Sequence, residues 1–361
     1  MKNPIRKLPE LAAICACICA LTFPATAAQP QLDQTSRLLP NVVLFFVDDM
    51  GYGDLGCYGN TLNQTPNIDR LASEGQRWTD FYSAGPVCVP SRYGMMTGFH
   101  PALAREGNLA TSKKVPLPAM LKTRGYRTAL IGKWHLGRGI DTPNAKGHPL
   151  DRGFDHYYGT PASNDIPRPA SGQVQNHALF SSCDKFTFPC PLMRGRKIIE
   201  KPANQELFTQ RYTKEAIDWI GEQNDAPFFL YLAHNMPHAP VFASPEFQGR
   251  SRGGRFGDVV EEIDWSLGQI MKTLKERQLD NNTLVIFTSD NGPWEIFGEH
   301  AGTAGPLSGE KSTCWEGGQR VPAIFRWSRK IKPGVTDEIG SNLDFYATLA
   351  KLTGGKAPQG K

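Results

Sequence analysis

Residues 41–54 read Asn-Val-Val-Leu-Phe-Phe-Val-Asp-Asp-Met-Gly-Tyr-Gly-Asp. From Asn41 to Val47 the run is β-branched, aromatic and apolar, with no polar alternation after its first residue. That pattern suits a strand buried on both faces, as in a parallel sheet. It stops at two adjacent carboxylates, Asp48 and Asp49, and a glycine-rich loop. Carboxylates at the end of a buried strand are costly unless positive charge lies against them. Taken alone, the pair reads more simply as a loop or helix cap.

The same arrangement recurs along the chain. Residues 127–131 form a strand-like run that leads into Gly132-Lys133-Trp134-His135-Leu136-Gly137. Residues 228–232 end at His234-Asn235-Met236-Pro237-His238, and residues 284–288 end at Ser289-Asp290-Asn291-Gly292. Residues 322–327 give a further strand. Helical spacing lies between these runs: a helix opened by Thr65-Pro66-Asn67, then helices over 117–124, 205–221, 260–274 and 342–352. Strands alternating with helices predict an α/β fold, a mostly parallel (mixed) central sheet sandwiched by helices. Ligands in such sheets sit off the carboxyl ends of the strands, where all four polar clusters fall. The second acidic pair, Asp290-Asn291, turns the reading of Asp48-Asp49 from a cap to a ligand set. Those four residues offer only oxygen, which suits Ca²⁺ or Mg²⁺ over Zn²⁺. Residues 138–204 are rich in Pro, Gly, Asn and His with weak periodicity, and read as long loops that shape a pocket.

Composition narrows the function classes. With 40% hydrophobic and 21% charged residues, the 361-residue chain is neither disordered nor membrane-embedded. Net charge is +5, and residues 1–28 hold three cations and one anion, leaving about +3 for the remainder. No basic stripe interleaves with aromatics, so nucleic acid is not an expected partner. Residues 1–28 read as a secretory signal peptide: Lys2, Arg6 and Lys7, an apolar run over 11–23, then Ala25-Thr26-Ala27 for cleavage. That run is too short for a membrane span. Residues 29–40 read as a lead-in and 41–361 as the catalytic domain. Export allows disulfides. Cys183 with Cys190 is the nearest pairing, and Cys57 with Cys314 a second one.

Between the first and second strand runs lies Cys88-Val89-Pro90-Ser91-Arg92-Tyr93-Gly94-Met95-Met96-Thr97-Gly98, the start of a helix with Cys88 near its N-terminus. Backbone N–H groups there favour an anion. This segment resembles the C-x-P-S-R-x-x-x-x-T-G signature of type I sulfatases. The V-D-D-x-G-Y-G-D, G-K-W-H-L-G, S-D-N-G and E-G-G-x-R-x-P segments follow that family's order over 41–327. The resemblance implies an alkaline-phosphatase-like fold and hydrolysis of sulfate monoesters of aryl or carbohydrate alcohols. It implies that a maturation enzyme oxidises Cys88 to Cα-formylglycine, whose hydrate is the nucleophile. A thiolate would be left S-sulfated, whereas a geminal diol can expel sulfate and return to the aldehyde.

By the same resemblance Asp48, Asp49, Asp290 and Asn291 hold Ca²⁺ (or Mg²⁺), and Arg92, Lys133, His135, Ser163, His238 and Lys311 surround the sulfate. Arg92 braces the hydrate, His238 or Lys311 protonates the departing alcohol, and His135 takes the proton when sulfate leaves. The plainer readings are surface charge for the lysines and structural imidazoles for the histidines. His100, His148, His156 and His177 carry no expected role, and His300 is placed at the substrate entrance. Expected partners are a sulfated small molecule or glycan and the formylglycine-generating enzyme. Expected locations are the periplasm or exterior, or the lysosome in a eukaryote. Family members continue into a smaller C-terminal domain, so the resemblance implies a catalytic domain truncated at its C-terminus, with that smaller domain expected to be missing. The alternatives are a phosphate or phosphonate ester hydrolase of the same superfamily, or a catalytically silent glycan-binding fragment.

Overall fold

A computed structural model describes residues 39–104, 107–166, 183–223 and 226–358. The signal segment 1–28, His177 and the centre of the 138–204 region lie outside these. The apolar run becomes β1 (Asn41–Val47), with all seven residues buried. Val43, Phe45 and Val47 enter one core, while Val42, Leu44 and Phe46 enter the other. The period-2 alternation of a strand thus feeds two apolar layers, which is why no polar residue interrupts the run.

After β1 come α1 (Pro66–Glu74), β2 (Gln76–Trp78), β3 (Phe81–Tyr82), α2 (Cys88–Thr97), α3 (Pro101–Ala104), α4 (Leu117–Lys122) and β4 (Arg127–Gly132). The 138–204 region, expected as loops, instead contributes β5 (His156–Gly159), β6 (Leu192–Arg194) and β7 (Lys197–Glu200) to one sheet edge. Then follow α5 (Phe208–Gly221), β8 (Phe228–Ala233), α6 (Gly254–Glu276) and β9 (Thr283–Ser289). The last elements are α7 (Glu316–Gln319), β10 (Ala323–Arg326), β11 (Gly334–Thr336), β12 (Gly340–Ser341) and α8 (Asp344–Thr353).

The main sheet runs β11-β2-β10-β9-β1-β8-β4-β5-β6-β7. Its centre, β9-β1-β8-β4-β5, is parallel, and β10 and β6 are antiparallel to their inner neighbours. Helices α1, α5 and α6 cover one face and α2, α4 and α8 the other. The expected mixed α/β sandwich is therefore present.

Helix α1 is capped from outside. Its own N-cap hydroxyl, Thr65 Oγ1, is engaged by Gly56 N–H and Asp69. The first-turn N–H groups of Asn67 and Ile68 donate instead to Oδ1 of Asp264 on α6, at 2.9 and 2.8 Å. Asp264→Ala leaves both without an acceptor, and is expected to lower unfolding free energy by about 1–2 kcal/mol. Denaturant titration reads this; an unchanged midpoint would show that α1 does not depend on the cap.

Candidate active site

Four neighbouring parallel strands, β9, β1, β8 and β4, end together, and their ladder continues one residue beyond them. Asp290 N–H donates to Val47 O at 3.1 Å, and Lys133 N–H to Ala233 O at 2.7 Å. Gly132 has φ +110°, and a Cβ there would lie 1.8 Å from Ala233 O, so glycine is required where β4 turns into Lys133. Asp48-Asp49, Asp290-Asn291, Lys133-His135 and His234–His238 meet at this one edge, as the sequence predicted.

Helix α2 brings Cys88 to the same place. Cys88 is its first residue and is buried. Its Sγ and carboxylate oxygens of Asp48 and Asp290 lie within 4.8 Å of one another, as do Sγ, a ring nitrogen of His238 and an oxygen of Asp49. Other parts of the signature build the helix. Ser91 Oγ accepts from Asn342 Nδ2 at 2.9 Å, anchoring α2 to the chain before α8. Thr97 Oγ1 donates to Tyr93 O, and Gly98 ends the helix at φ +71°. Arg92, one turn after Cys88, points into the strand ends.

The charges pair closely. Arg92 Nε donates to Asp290 Oδ2 at 2.9 Å, and its Nη2 lies 3.5 Å from Asp48 Oδ1. Lys133 Nζ is 2.5 Å from Asp48 Oδ2, and Lys311 Nζ 2.7 Å from Asp49 Oδ2. All six groups are buried. At Asp48 burial opposes ionisation, but Lys133, His238 and Arg92 hold its carboxyl well below the usual range. Burial and the adjoining Asp48 push Asp290 upward. Burial works against charge on Lys133, Lys311 and Arg92, and the carboxylates, preceded at Arg92 by Tyr231, outweigh it and raise all three.

The remaining predicted residues are here too. Ser163 Oγ accepts from Lys133 Nζ at 3.3 Å and sits 3.4 Å from His238 Nε2. His238 Nε2 is 3.6 Å from Asp49 Oδ2. Burial and Lys311 depress its pKa, but Asp49 and Asp48 win and raise it. His135 Nδ1 is buried and has no hydrogen-bond partner among the described residues, and burial followed by Lys133 hold its pKa well below the usual value. Asp49 (φ +65°), His135 (φ +60°) and Ser312 (φ +73°), which follows Lys311, all adopt a left-handed backbone. For non-glycine residues that costs of order 1 kcal/mol each, and such strain gathers at functional sites.

Two expectations need correction. His300, placed at the entrance, is buried, and its Nδ1 accepts from Val241 N–H at 3.1 Å. The Cys183–Cys190 bridge is not formed: Cys190 is a thiol in the core, its Sγ 4.0 Å from Ser163 O. Cys57 and Cys314 are also unbridged. Two neighbours escaped the sequence reading. Tyr231 OH accepts from Arg92 Nη1 at 3.0 Å, and the Trp294 ring lies 4.2 Å under Lys311 Nζ. Tyr231 hid in an apolar strand and Trp294 had no periodic partner.

Motifs distant in sequence touch through backbone. Gly292 N–H donates to Gly318 O at 3.1 Å, and a Cβ on Gly292 would lie 1.8 Å from Gly317 O. Lys311 N–H donates to Pro293 O at 2.8 Å, fixing the loop that carries Asp290-Asn291 against the one that carries Lys311. Asp54 is a brace, accepting from Gly51 and Thr303 N–H groups at 2.7 and 2.8 Å.

The oxygen set fits a divalent cation. Oδ1 of Asp48 and Oδ1 of Asn291 are buried and accept no hydrogen bond among the described residues. Two such oxygens, with the carboxylates of Asp49 and Asp290 close by, suit a hard divalent ion.

Comparison with known proteins agrees with this geometry. The family profile described as Sulfatase matches residues 40–355. Human steryl-sulfatase is 36% identical, aligned over 89% of this chain and 67% of its own. Human arylsulfatase A is 40% identical over 88% of this chain and 65% of its own. The chain thus spans about two thirds of the length of these relatives. The crystal structure of PsFucS1 sulfatase from Pseudoalteromonas sp. superposes with a TM-score of 0.74 at 31% identity, covering 89% of this chain and 68% of that one. With the profile matched over most of its length and the strand-end cluster in place, this chain belongs to the sulfatase family.

Proposed function

We propose that the chain hydrolyses sulfate monoesters to an alcohol and inorganic sulfate, using Cα-formylglycine made from Cys88. The observation that carries this reading is Cys88 Sγ lying within 4.8 Å of Asp48 and Asp290 oxygens at the head of a helix. Asp48, Asp49, Asp290 and Asn291 are the residues that would hold Ca²⁺ or Mg²⁺, which when bound supplies positive charge for the sulfuryl oxygens. The hydrated aldehyde supplies one hydroxyl to attack sulfur and a second whose deprotonation expels sulfate.

The other residues position groups and move protons. Asp290, Asp48, Tyr231 and Lys133 O hold the Arg92 guanidinium one turn from residue 88, braced for an anion. Lys133 and Ser163, both buried, form a donor pair for a sulfate oxygen, and such contacts are strong away from solvent. Lys311 and His238 flank Asp49 and are the acids for the departing alcohol. His135, its pKa held low by burial and Lys133 and its Nδ1 without a partner among the described residues, is the base. The substrate class is a sulfated carbohydrate or an aryl sulfate. Residues 1–28 direct export to the periplasm or exterior, or to a lysosome, a formylglycine-generating enzyme is the partner that oxidises Cys88, and 41–361 act as the catalytic domain. No helix among the described residues is long and apolar enough to cross a membrane.

Mass spectrometry of the native peptide over residues 86–92 is expected to show sulfur and two hydrogens replaced by oxygen at Cys88. An intact thiol would point to a silent glycan-binding protein. The purified protein is expected to turn over aryl sulfates in preference to matched aryl phosphates; the reverse preference makes it a phosphate or phosphonate ester hydrolase.

A general acid matters most for poor leaving groups. Lys311→Ala and His238→Ala should each lower kcat about 10²–10⁴-fold on alkyl or sugar sulfates and far less on nitrophenyl sulfate. The residue whose loss is independent of leaving-group pKa is not the acid.

A further inference from the structure

Trp294 lies three residues after Asn291 and is half-buried, whereas Lys311 and His238 against it are buried. Lys311 Nζ sits 4.2 Å from its ring centroid, and the His238 ring centroid is 5.7 Å away at 65°. Phe297 buttresses the indole edge-on at 4.6 Å and 90°. The loop beneath is pinned at two points: Pro293 O accepts from Lys311 N–H and Gly292 is wedged against Gly317. One aromatic ring therefore touches both candidate acids and still reaches solvent.

We propose that Trp294 is a specificity-determining residue: the exposed part of its indole is the platform for the organic group of the ester. It favours a flat aryl ring or the C–H face of a sugar over a short alkyl chain. The inference rests on the sulfate-ester reading and extends it to the leaving alcohol. An ester oxygen protonated by Lys311 or His238 must come within about 3 Å of the donating nitrogen. With Nζ only 4.2 Å from the indole centre, the first ring attached to that oxygen falls in the roughly 4.5–7 Å range at which aromatic groups pack. The purely structural role is that Trp294 only holds Lys311 by a cation–π contact. That role predicts an equal loss for every substrate.

Binding separates the two without relying on turnover. Full-length Cys88→Ala, which keeps its ligand intact, is titrated calorimetrically with phenyl sulfate and ethyl sulfate, alone and combined with Trp294→Ala or Trp294→Phe. Trp294→Ala is expected to weaken phenyl sulfate about tenfold and ethyl sulfate less than about twofold. Trp294→Phe, which keeps an aromatic face, is expected to recover most of the loss. Equal weakening of both ligands, or no weakening of phenyl sulfate, overturns the proposal. The matched phenyl and ethyl phosphates run in parallel. Sulfate-over-phosphate preference reads the proposed reaction and the phenyl-over-ethyl ratio reads Trp294, so either can fail alone. A parent that binds none of the four overturns both.

Discussion

The structure depends on burying three carboxylates at the ends of two adjacent strands and giving each a cation. Asp48 has Lys133, Asp49 has Lys311 and Asp290 has Arg92, with Arg92 also reaching Asp48. Removing one partner from a buried pair leaves an uncompensated charge, at about 3–5 kcal/mol. The cations come from three separate places: a strand end, a helix and a loop more than 150 residues further on. Each pair therefore also ties the fold together at the site. A divalent ion added to this balanced set leaves the centre positive, which suits an anionic ester.

The balance also explains the unusual backbone nearby. Asp49, His135 and Ser312 hold left-handed conformations beside the ions, and Gly132 and Gly292 make approaches that no side chain allows. Local strain here is offset by a sheet whose central strands are buried on both faces and by two apolar layers. The apolar layers supply the stability and the strand ends gather the buried charges.

Much of this was legible in the sequence because central strands leave a strong signal. The run at 41–47 matched β1 at both ends, and the runs at 228–232 and 284–288 fell within a residue of β8 and β9 at each end. Asp48, Asp290 and Lys133 were readable because each follows such a run. Short edge strands were not. In β7 Ile198 and Ile199 are both exposed, so neither alternation nor a continuous buried run marks it. Residues that act across the fold left no local trace either. Asp264 caps a helix nearly 200 positions earlier, and Tyr231 meets Arg92 from inside an apolar strand. Cys183 and Cys190 were close enough in sequence to suggest a bridge, but the Cys190 side chain turns into the core against Ser163.

In the proposed site, the buried oxygens of Asp48, Asp49, Asp290 and Asn291 hold a hard cation beside residue 88. Elemental analysis of native protein after exhaustive dialysis tests it most directly. One calcium or magnesium ion is expected to be retained per chain. Protein that retains no divalent metal, or that retains zinc, would contradict it.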